Sequence, residues 1–558
     1  MTSPPRVLVI VPARGGSKGV PRKSVRLLHG TPLIGHVLRT LAQSRFRPAV
    51  WTTTDDDEIA DVARRYGAAV VRRPPELAAD DVTLDPVVFH AVTSIEASSS
   101  SAWDVVATVQ PTSPLLSAER FDAAVAAIVD EGYDSAITVV KDAHLRWLGA
   151  LDRPEPAFTL RRNRQQLPPE YRETGAVLAT RREHVTPQGR FGPRVRLIEL
   201  PDHEAVDIDS NADWWLADNF LDRRRIAFRV DGGAVIGLGH VHRALTLSSR
   251  MFNHEIRFFM DPALPDGIRL ARFHGMHVVH TDNACFAEHL AGWRPDVVLL
   301  DVLDTTRPFV EGIRQACDVL ATFEDLGTGA DAADLVFNEL YADSKADGIR
   351  RFSGPDVACL REEFYSVQPR ATRDEVRNIL VTFGGTDPNN LTSRALQALE
   401  RVDGDFHVTV VLGLGCSQVE SLEQQARQSR HVVEVHQNVP NISTFMVQAD
   451  LALTSAGRTV FELIACQTPV LALAQNPREL LHTCTDERHG VQSLGLGTEV
   501  SAAAVADAVR RLLPVEPRAA ARRRMASLDL WNGPDRIISS ILYLLRARRL
   551  RDRFGHAN

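Results

Sequence analysis

Short apolar runs alternate with stretches of helical periodicity along most of this chain. The run Val7-Leu8-Val9-Ile10 predicts a buried strand, and Leu33, Ile34, Val37, Leu38 and Leu41 recur at the spacing of one helix face. Ala49–Thr54 predicts the next strand, 56–66 a helix, and Val105–Val109 and Ala136–Val140 two more strands. Strands and helices alternating in this way predict a parallel sheet wrapped by helices, with ligands at the carboxyl ends of the strands. After a short charged joint, Leu221-Asp222-Arg223-Arg224-Arg225, the pattern restarts with Ile226–Val230, Ile256–Met260 and Val297–Val302. It restarts again at Ile379–Phe383, followed by Val408–Leu412 and Leu451–Ser455. The expected organisation is therefore α/β throughout: a Rossmann-like domain over 1–222, then two Rossmann-like lobes over 225–370 and 371–545.

Length agrees, since 558 residues exceed what one hydrophobic core can organise. A net charge of -7 argues against nucleic-acid binding, which requires a basic surface. The six cysteines contain no C-x-x-C pair, which suits reduced thiols rather than a disulfide frame or zinc site. No apolar stretch approaches the roughly 18 residues of a membrane span, and the opening residues carry no leader pattern. A cytoplasmic protein without membrane insertion is expected.

Chemistry concentrates in the loops after the strands. Val11–Ser24 is VPARGGSKGVPRKS. Gly15, Gly16 and Gly19 allow close backbone approach, while Arg14, Lys18, Arg22 and Lys23 supply four positive charges, a set suited to a polyphosphate. Its spacing matches neither the Walker loop nor the dinucleotide fingerprint. Arg73, after Val70-Val71, adds a cation, and Gln110-Pro111-Thr112-Ser113 offers an amide and two hydroxyls to a base or sugar. Tyr171–Gly175 is expected to be a third such loop, beyond a polar stretch, Arg161 to Pro169, that looks like a substrate-facing loop or arm. Asp207 and Asp209, at i and i+2, would point together on extended backbone and so suit Mg²⁺; the other reading is a cap pair for the helix from Asn211, although Ser210 could cap it alone.

Taken in order, PARGGSKG with PRK, RPPELA, QPTSPL, LPPEYRETGA and VDIDS resemble the CMP-sialic acid synthetases over about residues 5–222. The resemblance implies a nucleotidyltransferase in which Arg14, Ser17 and Lys23 contact CTP phosphates, with Gly15, Gly16 and Lys18 in the same loop. It places Gln110 on the nucleotide or sugar and Mg²⁺ on Asp207 and Asp209. Thr174 stands where the family commonly has Asn, near the sugar. The reaction implied is attack of the anomeric hydroxyl of a nonulosonic acid on the α-phosphate of CTP, with pyrophosphate leaving.

In the second half, Ile226–Val230 runs into Asp231-Gly232-Gly233-Ala234-Val235-Ile236-Gly237-Leu238-Gly239-His240. His240, at the start of a predicted helix reaching Arg250, is the general base on offer. Gly385 and the Ser455–Thr459 segment, including Gly457, open loops suited to a diphosphate. FRVDGGAVIGLGHVHR, LREEFY, TFGGTDPNN, SAGRTVFE and NGPDRI resemble the UDP-sugar hydrolase of pseudaminic acid biosynthesis, a two-lobed relative of the GT-B glycosyltransferases. That resemblance covers about 225–538. It implies a UDP-amino sugar as substrate, Gly239 and His240 in the base loop, and Glu462, by analogy with the glycosyltransferases, on the ribose. A true glycosyltransferase and a non-catalytic binding or oligomerisation module are the alternatives. A homodimer is expected. The Arg-rich stretch 536–554 is expected to be a helix packed on the other lobe or a partner, with a membrane-surface helix as the alternative.

Overall fold

The strand Val7–Pro12 is buried along its whole length. Its apolar residues on both faces suit a strand covered on both sides. Val7, Val9 and Val11 meet helices Leu33–Leu41, Asp57–Arg65 and Ala118–Val129, whereas Leu8 and Ile10 face helix Leu84–Ser99. The structure, a computed structural model, describes residues 4–16, 19–99, 102–233, 236–343, 345, 347–413 and 415–554. The chain divides into two units, 1–223 and 224–558.

In the first unit Val7–Pro12 lies between Ala49–Thr54 and Val105–Val109, parallel to both. Across the sheet the order is Val195–Glu199, Ser135–Lys141, Tyr171–Arg181, Val105–Val109, Val7–Pro12, Ala49–Thr54 and Ala69–Arg72. Tyr171–Arg181 runs antiparallel to both neighbours. Tyr171–Gly175 is thus the first part of a long strand, correcting the expected loop. Its polar first half hides the strand, because only from Ala176 onward is the run apolar and buried.

The second unit carries two parallel sheets. The first runs Val278–His280, Glu255–Met260, Arg225–Val230, Val297–Asp301, Val319–Phe323, Leu335–Asn338 and Arg351–Ser353. The second runs Val432–Gln437, His407–Leu412, Asn378–Thr382, Leu451–Ser455, Val470–Ala474 and Val491–Leu496. Two Rossmann-like lobes in succession form the expected GT-B-like arrangement.

The last helix, Gly533–Phe554, returns to the first of these lobes. Ile537, Ile541 and Leu545 enter that lobe's core beside Phe323 and Val357. Gly533 abuts the Ala358 carbonyl so closely that no side chain fits. Arg548 pairs with Asp334 at 2.9 Å, and Arg549 with Asp318 at 3.2 Å. The arginines thus match acids of the first lobe, so the second lobe ends before this helix rather than at 545. Among the described residues no helix is long and apolar enough to cross a membrane.

Candidate functional site

The Gly-rich loop leaves the carboxyl end of Val7–Pro12 and is held in place by carboxylates. The Gly15 N–H donates to Asp55 Oδ1 at 3.1 Å, and a Cβ on Gly15 would stand 2.7 Å from Asp56 Oδ2. Gly19 presses against the Asp209 carbonyl, leaving no room for a side chain. Val20, Leu28 and Leu33 share a small core with Val206 and Ile208. Apolar packing on one side and glycine on the other therefore bring the opening loop onto the 205–209 segment. Ser17 and Lys18 lie outside the described residues. For Gly16, a Cβ would meet nothing within 4 Å.

The cations have partners. Lys23 Nζ donates to the Ile208 carbonyl at 2.5 Å and to Asp209 Oδ1 at 2.9 Å. Arg14 pairs with Asp80 at 2.7 Å and donates to the Ala78 carbonyl at 3.3 Å. Arg73 is buried where Ala69–Arg72 ends; it donates from Nη2 to the Thr53 carbonyl at 2.9 Å, and its Nε has no partner. Burial holds its guanidinium below the ordinary value, against the attraction of Asp55, and the Arg14 charge adds to that burial. Arg14 and Lys23 thus follow strand Val7–Pro12, and Arg73 follows Ala69–Arg72, two strands away in the same sheet.

Asp207 and Asp209 do not lie on extended strand backbone. The 205–209 segment is irregular, and the two carboxylates differ in setting: Asp207 is half-buried, whereas Asp209 is exposed. The Ile208 N–H donates to the Thr112 carbonyl at 2.8 Å, tying the segment to the Gln110–Ser113 loop. Helix Asn211–Leu221 is capped by Ser210 with Asp213 in a capping box, which leaves the two acids free of that duty. Burial, and then the Asp209 charge, push the Asp207 carboxyl upward. Asp207 Oδ1 is buried without a hydrogen-bond partner. Such an orphaned oxygen beside a second carboxylate fits a hard divalent cation. Among the described residues no three His, Cys, Asp or Glu side chains gather for a metal, so phosphate and water would complete the shell.

Gln110 and Asp207 meet at Gly175. A Cβ there would stand 2.7 Å from Gln110 Nε2 and 3.6 Å from Asp207 Oδ2, and Gly175 has φ of +71°. The signal for this glycine in the sequence is its place directly after Thr174 in the RETG string. Thr174 is the correction. It is 1% exposed, and its hydroxyl donates to Thr138 Oγ1 at 2.9 Å. Its side chain is committed to the sheet interior. Tyr171 is exposed at the start of the same strand, opposite Lys141.

In the second unit a cleft of about 720 Å³ lies between the two lobes. Gly239 and His242 line it from the first lobe, and Gly385, Arg458 and Glu462 from the second. A Cβ on Gly239 would touch Arg458 Cδ at 3.0 Å, and Gly413 packs directly on Gly385. Glu462 accepts from Arg361 Nε at 2.7 Å. Ser455 ends its strand buried, and a Cβ on Gly457 would lie 3.7 Å from its hydroxyl. The Ala456 N–H in that loop donates to Glu479 Oε2 at 3.2 Å, so this amide of the expected diphosphate cradle is already taken.

His240 begins helix Gly239–Arg250, and its Nδ1 bonds Asp301 Oδ1 at the end of strand Val297–Asp301. Arg243 grips the same carboxylate through Nε and Nη2, both at 2.7 Å. Despite burial, the Arg243 and His240 charges keep Asp301 well below the usual carboxylate range. Asp301, Arg243 and His242 were not foreseen. An acid closing the apolar run VVLLD was the available signal for Asp301. His242 is driven down to about 3 by burial first and by the Arg361 and Arg458 charges, so it faces the cleft neutral.

The family model described as Cytidylyltransferase matches residues 8–188. N-acylneuraminate cytidylyltransferase A of Danio rerio is 34% identical over 230 residues, covering 39% of this chain and 52% of that protein. CMP-N,N'-diacetyllegionaminic acid synthase of Legionella pneumophila is 30% identical over 231 residues, covering 39% of this chain and 97% of that enzyme. The chain spans 49% to 58% of the length of four other such relatives, Danio rerio's A form included. Among solved structures, MurG of Acinetobacter baumannii aligns with 57% of this chain and 99% of its own, at 13% identity and a TM-score of 0.46. The family match falls within the first unit, where the glycine loop, Gln110 and the paired acids converge. Through that unit, the chain belongs to the cytidylyltransferase family.

Proposed function

We propose that the first unit transfers CMP from CTP to a nonulosonic acid and releases pyrophosphate. The observation that carries this reading is the packing of Gly19 and Lys23 onto Asp209, which brings a phosphate-type loop against an acid pair. Arg14 and Lys23 set positive charge against the phosphates, with Gly15 and Gly16 allowing close approach. Gln110, beside Gly175, reads the base or the sugar acid. Asp207 and Asp209 would hold Mg²⁺, which supplies neutralisation of phosphate charge when bound. The anomeric hydroxyl attacks the α-phosphorus, its proton passing to water, as the bond to the pyrophosphate oxygen breaks. Orientation and fixed charge carry the step, with no covalent enzyme intermediate. Mass spectrometry of the product from CTP, Mg²⁺ and neuraminic, legionaminic or pseudaminic acid tests it: a CMP-sugar acid is expected, and recovery of unchanged acid in every case refutes it.

The second unit, in this reading, hydrolyses a UDP-2,4-diacetamido-trideoxy-hexose to free sugar and UDP. Asp301 accepts the Nδ1 proton of His240, which leaves the Nε2 lone pair to take a proton from water as its oxygen attacks the anomeric carbon. The bond from that carbon to the UDP oxygen breaks as the new carbon–oxygen bond forms, and UDP leaves. UDP release in water alone, lost in His240→Ala, is expected; release only when an acceptor sugar is supplied makes the unit a glycosyltransferase instead.

A further inference from the structure

A buried chain of ion pairs runs from His240 to the second lobe. Asp301 bonds His240 and receives Arg243 on both oxygens. Arg243 Nη1 reaches on to Glu324 Oε1 at 3.0 Å and Glu339 Oε1 at 3.1 Å. Glu339 Oε1 is also gripped by Arg458, the residue before helix Thr459–Ala465 of the second lobe. The remaining Glu339 oxygen accepts the Cys359 N–H at 2.8 Å, and Arg458 Nη2 donates to the Cys359 carbonyl at 2.5 Å. Asp301, Glu324, Glu339 and Arg243 are all at most 2% exposed.

We propose that Glu339 and Arg458 are positioning residues for His240, so that closure of the second lobe onto the first sets the base for its task. The proposal rests on the reading of His240 as that base. Its physical content is a charge balance. Asp301, Glu324 and Glu339 bring three carboxylates against two guanidiniums, Arg243 and Arg458. Buried charge without a partner is costly, so this cluster is one positive charge short. A proton taken up by the cluster, on Glu324 (whose Oε2 has no hydrogen-bond partner) or on the imidazole, supplies it. Glu324 feels the same shortage: burial and the neighbouring Glu339 and Asp301 raise its carboxyl. The groups facing the imidazole are Asp301 from its strand end and Arg243 from its own helix. Glu324, Glu339 and Arg458 stand behind them, and His242 follows on the same helix.

Arg458 also fixes geometry. It leaves the second lobe at the floor of the cleft, touches Gly239 and clamps Glu339, so one side chain joins ligand-binding surface and base. The two lobes are therefore coupled through named atoms rather than through general shape.

The test is the pH profile of UDP release from a UDP-2,4-diacetamido-trideoxy-hexose by the full chain. Glu339→Gln removes a negative charge, so the acid limb of kcat/KM is expected to move to lower pH by about half a unit or more. Its kcat is expected to fall at least about tenfold with KM changed less than about threefold. Arg458→Gln removes a positive charge, and its limb is expected to move to higher pH. Opposite displacements cannot come from loss of fold, and if Glu339→Gln does not fold, Arg458→Gln still decides. Limbs that stay in place, or move the same way, overturn the proposal. Should the wild type release no UDP, the hydrolase reading fails by itself, and NMR titration of the His240 ring in wild type and both variants decides the coupling: opposite displacements of the midpoint support it, and unmoved midpoints overturn it.

Discussion

The Lys23 ammonium lies 2.9 Å from the Asp209 carboxylate, 186 residues further along the chain. This ion pair closes the first unit's candidate site, because the loop that carries Lys23 is the one whose Gly19 rests on the Asp209 backbone. The positive charge of the glycine loop and the acid pair are thus parts of one structure.

Replacement of Gly19 by alanine tests that closure. A methyl group there collides with the Asp209 carbonyl, which is backbone and cannot swing aside. Overpacking of this kind costs about 1–3 kcal/mol. Gly19→Ala is expected to lower the unfolding midpoint and raise the KM for CTP at least about tenfold, read from unfolding curves and pyrophosphate release.

Asp207 sets stability against function. An acid whose carboxyl is raised on folding opposes folding once it is ionised, and the opposition fades as pH falls from the folded value towards the ordinary 3.8. Asp207→Asn is therefore expected to melt higher than wild type at pH 7. The difference should vanish below about pH 3.8, in a melting series across pH. The same variant is expected to lose about 10²–10³ in kcat for CMP transfer, the range for removing a group that stabilises developing charge.

Thr174 sits in the sheet, so substrate choice should be insensitive to it. Thr174→Val keeps shape but removes the hydroxyl that bonds Thr138. A loss of about 1–3 kcal/mol in unfolding free energy is expected. The ratio of kcat/KM values among sugar acids should not change, as competition assays with paired acids would read.

The last helix is held by its apolar face as well as by arginines. Ile541 is 1% exposed in the first-lobe core of the second unit. Ile541→Ala is expected to cost about 2–5 kcal/mol in chemical denaturation of the full chain. A cost below about 0.5 kcal/mol, the range of surface substitutions, would mean that the helix is not docked there.

Most strands were legible because each is an apolar run buried on both faces, as in Val7–Pro12 and Leu451–Ser455. Tyr171–Arg181 was not, since YRET is polar and the strand earns its place through pairing with two neighbours. The candidate phosphate loop and Gln110 were readable from local composition. Local sequence could not show that Asp207 and Asp209 lie outside any strand, or that Ile208 between them bonds the Thr112 carbonyl of a distant loop. Asp301 lies 61 residues from His240, and nothing in the pattern around either residue states that they bond. Periodicity reports which face of an element is apolar; it is silent on which elements bring their ends together.

In the proposed function the glycine loop and the Asp207–Asp209 segment form one CMP-transfer site. Pyrophosphate release from CTP and Mg²⁺, measured with each nonulosonic acid in turn for wild type and Asp207→Asn, tests it most directly. Release is expected with at least one acid in the wild type, and little or none in the variant. Release at the wild-type rate by Asp207→Asn, or no release with any acid, would contradict it.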